Sequence, residues 1–149
     1  MIVRKAAMGD IAAIVRMSRE FYATTGYARI APLSAIAVVD MTQTMIDTGV
    51  ILVADHDGAV IGMVGLMIVP FVLNPAVRTA HEVVWWVDRD APGANGAGKA
   101  LLAAVEPACR TAGAVAVQML ALSTSPRHVA VLYERAGYRH SESCFTKEL

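Results

Sequence analysis

The residues with the clearest chemical reach lie between Gly93 and Ala100, in the stretch GANGAGKA. Glycines placed between an apolar run and a helix-forming run let the backbone approach an anion closely, while the unpaired N–H groups of a helix start point at it. A flexible turn would have the same composition, so the neighbouring residues must decide between the two. Gly93-x4-Gly98-Lys99 follows a nucleotide triphosphate loop as far as Ala100, where a Ser or Thr would have to hold Mg²⁺, and that reading is set aside. A dinucleotide fingerprint fails as well, because Leu101 takes the place of its third glycine and no acidic residue ends a following strand.

Two side chains add acid–base chemistry. In His81–Val87, HEVVWWV, strand alternation predicts Glu82, Val84 and Trp86 on one face, so that a carboxylate opens beside an aromatic wall. An exposed charge at a strand edge is the plainer alternative. Tyr133, after Leu132 on a short amphipathic run, is either a half-buried packing residue or a general acid. Lys99 could reach a phosphate or simply be solvated. Cys109 is expected to pack in the core, and Cys144 has no histidine placed to activate it. Neither the two cysteines nor His56, His81, His128 and His140 show ligand spacing, so no metal is expected.

The elements that must position these groups follow from hydrophobic period and turn chemistry. Residues 2–5 read as a strand, and Asp10 is placed to cap a helix through Ile14, Val15, Phe21 and Tyr22 that Thr24-Thr25-Gly26 ends. A second helix runs from Pro32-Leu33-Ser34 to Asp47 and stops at Gly49. Val50–Phe71 is two strands joined at His56-Asp57-Gly58; a loop with Asn74, Pro75 and Arg78 leads to the strand His81–Val87. The helix after the glycine loop should kink at Pro107, Ala114–Leu122 is a further strand, Ser125-Pro126 opens a short helix, and the last dozen residues are expected to be strand. The order is β-α-α-β-β-β-α-β-α-β, an α+β or mixed α/β domain covering residues 1–149 as one unit.

Composition excludes several classes. Thirteen basic residues balance thirteen acidic ones, so no global field draws the chain to nucleic acid or an anionic bilayer. With 56% hydrophobic and 17% charged residues, the chain is not of disordered type. The apolar stretch Ala59–Val72 is interrupted by Gly62, Gly65 and Pro70 and falls short of the roughly 20 residues of a membrane span. No signal segment is read at the N-terminus, and a cytoplasmic protein is expected.

Taken together, the strand–Gly96-x-Gly98–helix unit and Leu132-Tyr133-x-x-x-Gly137-Tyr138 resemble the GNAT superfamily of N-acetyltransferases, over essentially the full chain. Glu82, Trp86, Val87, Leu101, Leu102 and the closing Phe145-x-Lys147-x-Leu149 are similar to a small, phage- or prophage-like branch. Gly93 stands where the family usually has Gln or Arg. The resemblance implies an acetyl-CoA-dependent enzyme that acetylates a primary amine by direct attack in a ternary complex. Pyrophosphate would sit on Asn95, Gly96, Ala97, Gly98, Lys99 and Ala100, and pantetheine would run along Trp85, Trp86 and Val87. Tyr133 would be the general acid and Glu82 the base. The acceptor, a small-molecule or peptide amine, would meet Phe21, Tyr22 and Tyr27 and a variable loop Pro70–Thr79; a homodimer is open. A CoA-binding module without turnover is one alternative. A transferase modifying nucleic-acid bases is another, drawn from the cluster Arg127, His128, Arg135, Arg139 and His140 and opposed by the zero net charge.

Overall fold

The apolar runs of the middle of the chain pair into one five-stranded sheet, in a computed structural model that describes residues 1–149. Strands β1 (Ile2–Lys5), β2 (Val50–His56), β3 (Ala59–Phe71) and β4 (Asn74–Val87) are antiparallel neighbours in chain order, and β5 (Ala114–Gln118) lies parallel to β4. The β2–β3 turn has Asp57 at φ 54° and Gly58 at φ 86°, the paired left-handed geometry of a two-residue hairpin. Helices α1 (Ile11–Thr24) and α2 (Ala35–Asp47) cover one face, where Ile14, Met17, Val38 and Met45 bury against Ile51, Val53, Met63 and Val84. Helix α3 (Ala97–Thr111) covers the other, packing Leu101, Val105 and Cys109 on Leu52, Val64, Leu66 and Ala80. The short α4 (His128–Arg135) follows β5.

Several local expectations change. The segment 74–78 is not a loop but the start of β4, so Pro70–Thr79 is the end of a long hairpin whose arms pair at Val69↔Thr79 and Pro70↔Arg78. Helix α3 runs unbroken through Pro107, because the carbonyl of exposed Ala103 that loses its donor there can turn to water. Asp10 marks the start of α1 without capping it: its carboxylate turns back to the Ala7 N–H and to Arg4. Ser125 accepts from the Leu122 N–H, and α4 begins three residues later. The final strand does not form. Residues 138–149 pair with no strand, and Phe145 is 94% exposed.

Two features of β4 set up the cleft. The register steps from Gly65↔Val84 to Leu66↔Glu82, leaving Val83 as a one-residue bulge. The predicted alternation is therefore broken: Glu82 turns to the side of Trp85, while Val84 and Trp86 face α1 and α2. Beyond His81↔Gln118 the parallel pairing with β5 ends, although β4 continues to Val87. From there one edge of β4 is open.

Candidate active site

The open edge of β4 faces a cleft of about 1210 Å³, closed by α1 on one side and by α4 and the β5–α4 connection on the other. Glu82, Trp85, Trp86, Val87, Asn95, Gly98, Tyr133 and Phe21, all singled out from the sequence, line it together. Gly96, Ala97, Lys99 and Ala100 belong to the same loop but are not part of the lining, and Tyr22 and Tyr27 lie outside it. Tyr22 instead donates its hydroxyl to the carbonyls of Tyr27 and Ala31, tying together the connection between α1 and α2.

At the mouth of the cleft the glycine loop leaves a set of backbone donors unused. The N–H of Ala97 donates to Ala94 O and that of Ala100 to Gly96 O, whereas those of Asn95, Gly96, Gly98 and Lys99 meet no acceptor in the protein. Gly96, at φ 84°, makes the left-handed step by which the chain enters α3. A Cβ on Gly98 would stand 3.6 Å from the Trp85 ring and 3.8 Å from Val87, so the loop lies directly against the β4 wall. The loop thus fits an anionic group such as a pyrophosphate through four N–H donors rather than six, with Ala97 spent on the core, where it is fully buried.

The open edge supplies another donor. Asp88 N–H bonds to Ile61 O on β3, so strand alternation turns the N–H of Val87 away from β3 and into the cleft. Along α1, Arg16 donates to Asp88 at 2.6 Å and to Glu20 at 3.0 Å, and Trp86 Nε1 donates to the other Asp88 oxygen at 2.9 Å. Phe21 meets Trp86 edge-on with ring centres 6.4 Å apart. An aromatic pair and the Arg16–Asp88–Glu20 ion cluster therefore wall the α1 side. For Arg16 the one signal in the sequence is its helical spacing to Glu20; the bond to Asp88 spans 72 positions and leaves none.

The floor, where β4 and β5 part, is built from Glu82, Leu120 and Tyr133. Glu82 Oε2 accepts the Leu120 N–H at 2.8 Å, bridging the split, and lies 3.3 Å from Tyr133 Oη; Tyr133 also donates to Leu120 O at 2.9 Å. The Tyr133 ring is held between Trp85 and Tyr138, with centres 5.6 and 5.7 Å away. Desolvation pushes the Glu82 carboxyl up to about 7, which the bonds from Leu120 and Tyr133 only partly offset. Burial and the adjacent carboxylate also raise Tyr133 well above the usual phenol range, so it stays protonated. A carboxyl poised near neutrality and a protonated phenol on one cleft floor are equipped for base and acid roles. No group of three or more His, Cys, Asp or Glu side chains is arranged to hold a metal. No helix is long and apolar enough to cross a membrane.

The family model for acetyltransferases of the GNAT type matches residues 15–138. An acetyltransferase from Trypanosoma brucei has a similar solved structure, at 24% identity, with 99% of each chain covered and a TM-score of 0.70. The ribosomal-protein-alanine N-acetyltransferase of Brucella melitensis superposes with a TM-score of 0.72 at 16% identity over 100% of each chain. A protein of Clostridium acetobutylicum described as a predicted acetyltransferase, solved with acetyl-CoA, gives 0.71 at 15% identity, covering 99% of this chain and 95% of its own. At these identities the likeness is one of fold. No curated protein matches the chain.

Proposed function

Because the chain belongs to the acetyltransferase (GNAT) family, we propose that residues 1–149 form one catalytic unit that moves an acetyl group from acetyl-CoA to a primary amine by direct attack with both substrates bound. The observation that carries this reading is a single cleft lined both by Asn95 and Gly98, two of the four loop residues with free N–H groups, and by the Glu82–Tyr133 pair. Acetyl-CoA supplies the activated acyl carbon and a thiolate leaving group. Asn95, Gly96, Gly98 and Lys99 hold the pyrophosphate through their backbone, and the open edge at Trp85–Val87 takes the amides of the pantetheine arm. The Val87 N–H polarises the thioester carbonyl. Phe21 and Trp86 form the wall that meets the acceptor, a small molecule or a peptide. Glu82 takes the proton that the amine nitrogen sheds as the C–N bond forms, and Tyr133 protonates the departing sulfur.

The test is acetyl-CoA turnover against a panel of amines, read as thiol release. Release above the amine-free rate with at least one acceptor supports the reading; no release from any amine, despite tight CoA binding, supports a CoA-binding module instead. Binding itself is checked by melting temperature, which CoA should raise by mass action while NAD and ATP-Mg²⁺ do not. Gly98→Ala, whose Cβ meets only ordinary contacts, should keep that rise, and Gly98→Glu should abolish it by setting a charged chain among the donors. A rise that survives Gly98→Glu removes the loop from the account.

A further inference from the structure

Tyr133 has one hydroxyl proton and two acceptors within reach, Leu120 O at 2.9 Å and Glu82 Oε2 at 3.3 Å. Oε2 also takes the Leu120 N–H at 2.8 Å. While Glu82 is ionised, the tyrosine proton can satisfy only one of its two neighbours. Once Glu82 is protonated, its own O–H can donate to Tyr133 Oη while Tyr133 donates to Leu120 O, and the chain of donors is complete. The neighbouring ionisable groups take no part in this chain: His81 is paired with Thr79 at 2.8 Å, and Tyr138 meets Tyr133 through its ring.

We propose that Glu82 and Tyr133 act as a single proton relay, which returns the proton lost by the acceptor nitrogen to the departing sulfur. The relay rests on the acetyltransferase reading above and assigns the acid and base to one coupled device. Starting from the neutral amine, the C–N bond forms and the C–S bond breaks. Nitrogen gives one proton to Glu82, Glu82 passes a proton to Tyr133 Oη, and Tyr133 gives its own to sulfur. The products are the amide and the CoA thiol, both side chains return to their starting state, and no proton is exchanged with bulk water. The relay also spares the floor a tyrosinate: Tyr133 is only 7% exposed, and burial beside a carboxylate disfavours its anion. Refilling Tyr133 from Glu82 in the same step means that the anion never has to persist.

The experiment is a double-mutant cycle on turnover with an accepted amine, using Glu82→Gln, Tyr133→Phe and the double variant. Melting with and without CoA establishes that each is folded and loaded. Each single change should lower kcat by about 10-fold to 1000-fold, and the double variant should be no slower than the worse single, because either change breaks the same path. Losses that multiply would overturn the relay and leave an independent acid and base. A second measurement needs no turnover: carboxyl-carbon NMR of Glu82 should show the limiting shifts of its ionised and protonated forms both changed in Tyr133→Phe, since the phenol bonds each form in turn. Limiting shifts that both stay where they are in the wild type show that the bond the relay requires is not made. Wild-type protein that acetylates no amine defeats the acetyltransferase reading and the relay with it, whereas turnover with multiplying losses defeats the relay alone.

Discussion

Beside the start of α1, Asp10 accepts two bonds from the Arg4 guanidinium, at 2.7 and 2.9 Å, and a third from the Ala7 N–H at 2.8 Å. On the cleft floor, Glu82 receives only neutral donors, the Leu120 N–H and the Tyr133 hydroxyl. Both carboxylates are shielded from water, yet Arg4 holds Asp10 below the usual carboxylate range while burial pushes Glu82 up to about 7. The difference is the counter-ion. A guanidinium makes a shielded carboxylate a permanent charge that clamps β1 to the turn before α1, and Arg4 extends the clamp to Asp55 on β2 at 2.9 Å. Without one, the carboxyl gives up and takes back a proton near neutral pH, which suits it to chemistry and costs the fold some stability.

The largest effect that tests this contrast is on turnover. Glu82→Gln should lower kcat/KM by about 10-fold to 1000-fold and remove the acidic limb of the pH profile, whose midpoint in the wild type should lie at about 7. Asp10→Asn should leave that limb in place. If Glu82 only orients the acceptor's ammonium, KM rises while the shape of the profile stays as it was. A profile and rate both unchanged would make Glu82 a structural bridge to Leu120 and nothing more.

The same carboxyl should mark stability in the direction opposite to its activity. Its folded pKa is raised from 4.5 to about 7, so the folded state binds the proton more tightly. The cost of burying the charge is fully present above about pH 7 and is relieved as the pH falls towards 4.5, a span worth on the order of 3 kcal/mol. Urea unfolding should therefore find Glu82→Gln more stable relative to the wild type at pH 8, with the margin shrinking on acidification. A margin that does not depend on pH would mean that water reaches the carboxyl freely.

For Asp10 the sign reverses. Its depressed pKa contributes stability that is present above about 3.8 and is lost as the pH falls through its folded value. Asp10→Asn should cost about 2 kcal/mol at neutral pH, through two charge-assisted bonds weakened at a partly exposed arginine, with kcat unchanged. A fall in kcat as large as that of the Glu82 variant would erase the distinction between clamp and proton store.

How much of this was legible in the sequence follows from how far apart the cooperating residues lie. The glycine loop, the first two helices and the hairpin at Asp57-Gly58 are local, set by neighbouring residues, and they appear where the pattern puts them. The site residues Glu82 and Tyr133 could be named, but not their bond, which joins positions 51 apart. The bulge at Val83 reversed the side on which Glu82 lies, because a bulge depends on the register of β3 against β4 and leaves no mark in the alternation of β4 alone. Leu120, the third member of the floor, contributes only its backbone, and no side-chain pattern could single it out. The unformed last strand has the same origin: Phe145 and Leu149 suit a strand, but a strand needs a partner, and β5 is paired over only four residues on its other edge.

The smallest effect supplies the baseline against which the two carboxylates are judged, because it carries no charge. Gly96 sits at φ 84° with nothing within 4 Å of where a Cβ would be, so Gly96→Ala meets no steric clash and pays only for the left-handed backbone. That cost is about 1 kcal/mol. Gly98, in an ordinary helical position, should accept alanine with little change, and there the helix propensity even favours it. Neither substitution adds or removes a titrating group, so the Gly96→Ala loss measured by urea unfolding should be the same at pH 5 and pH 8, unlike those of Glu82→Gln and Asp10→Asn. CoA binding should weaken alongside it, since relaxing the backbone at Gly96 moves the free N–H groups on either side of it. If the loss varies with pH, some part of the pH dependence attributed to Glu82 and Asp10 belongs to the fold as a whole and must be subtracted before the two are compared. If CoA binding is unchanged while stability falls, the left-handed step serves the start of α3 and not the aim of the donors.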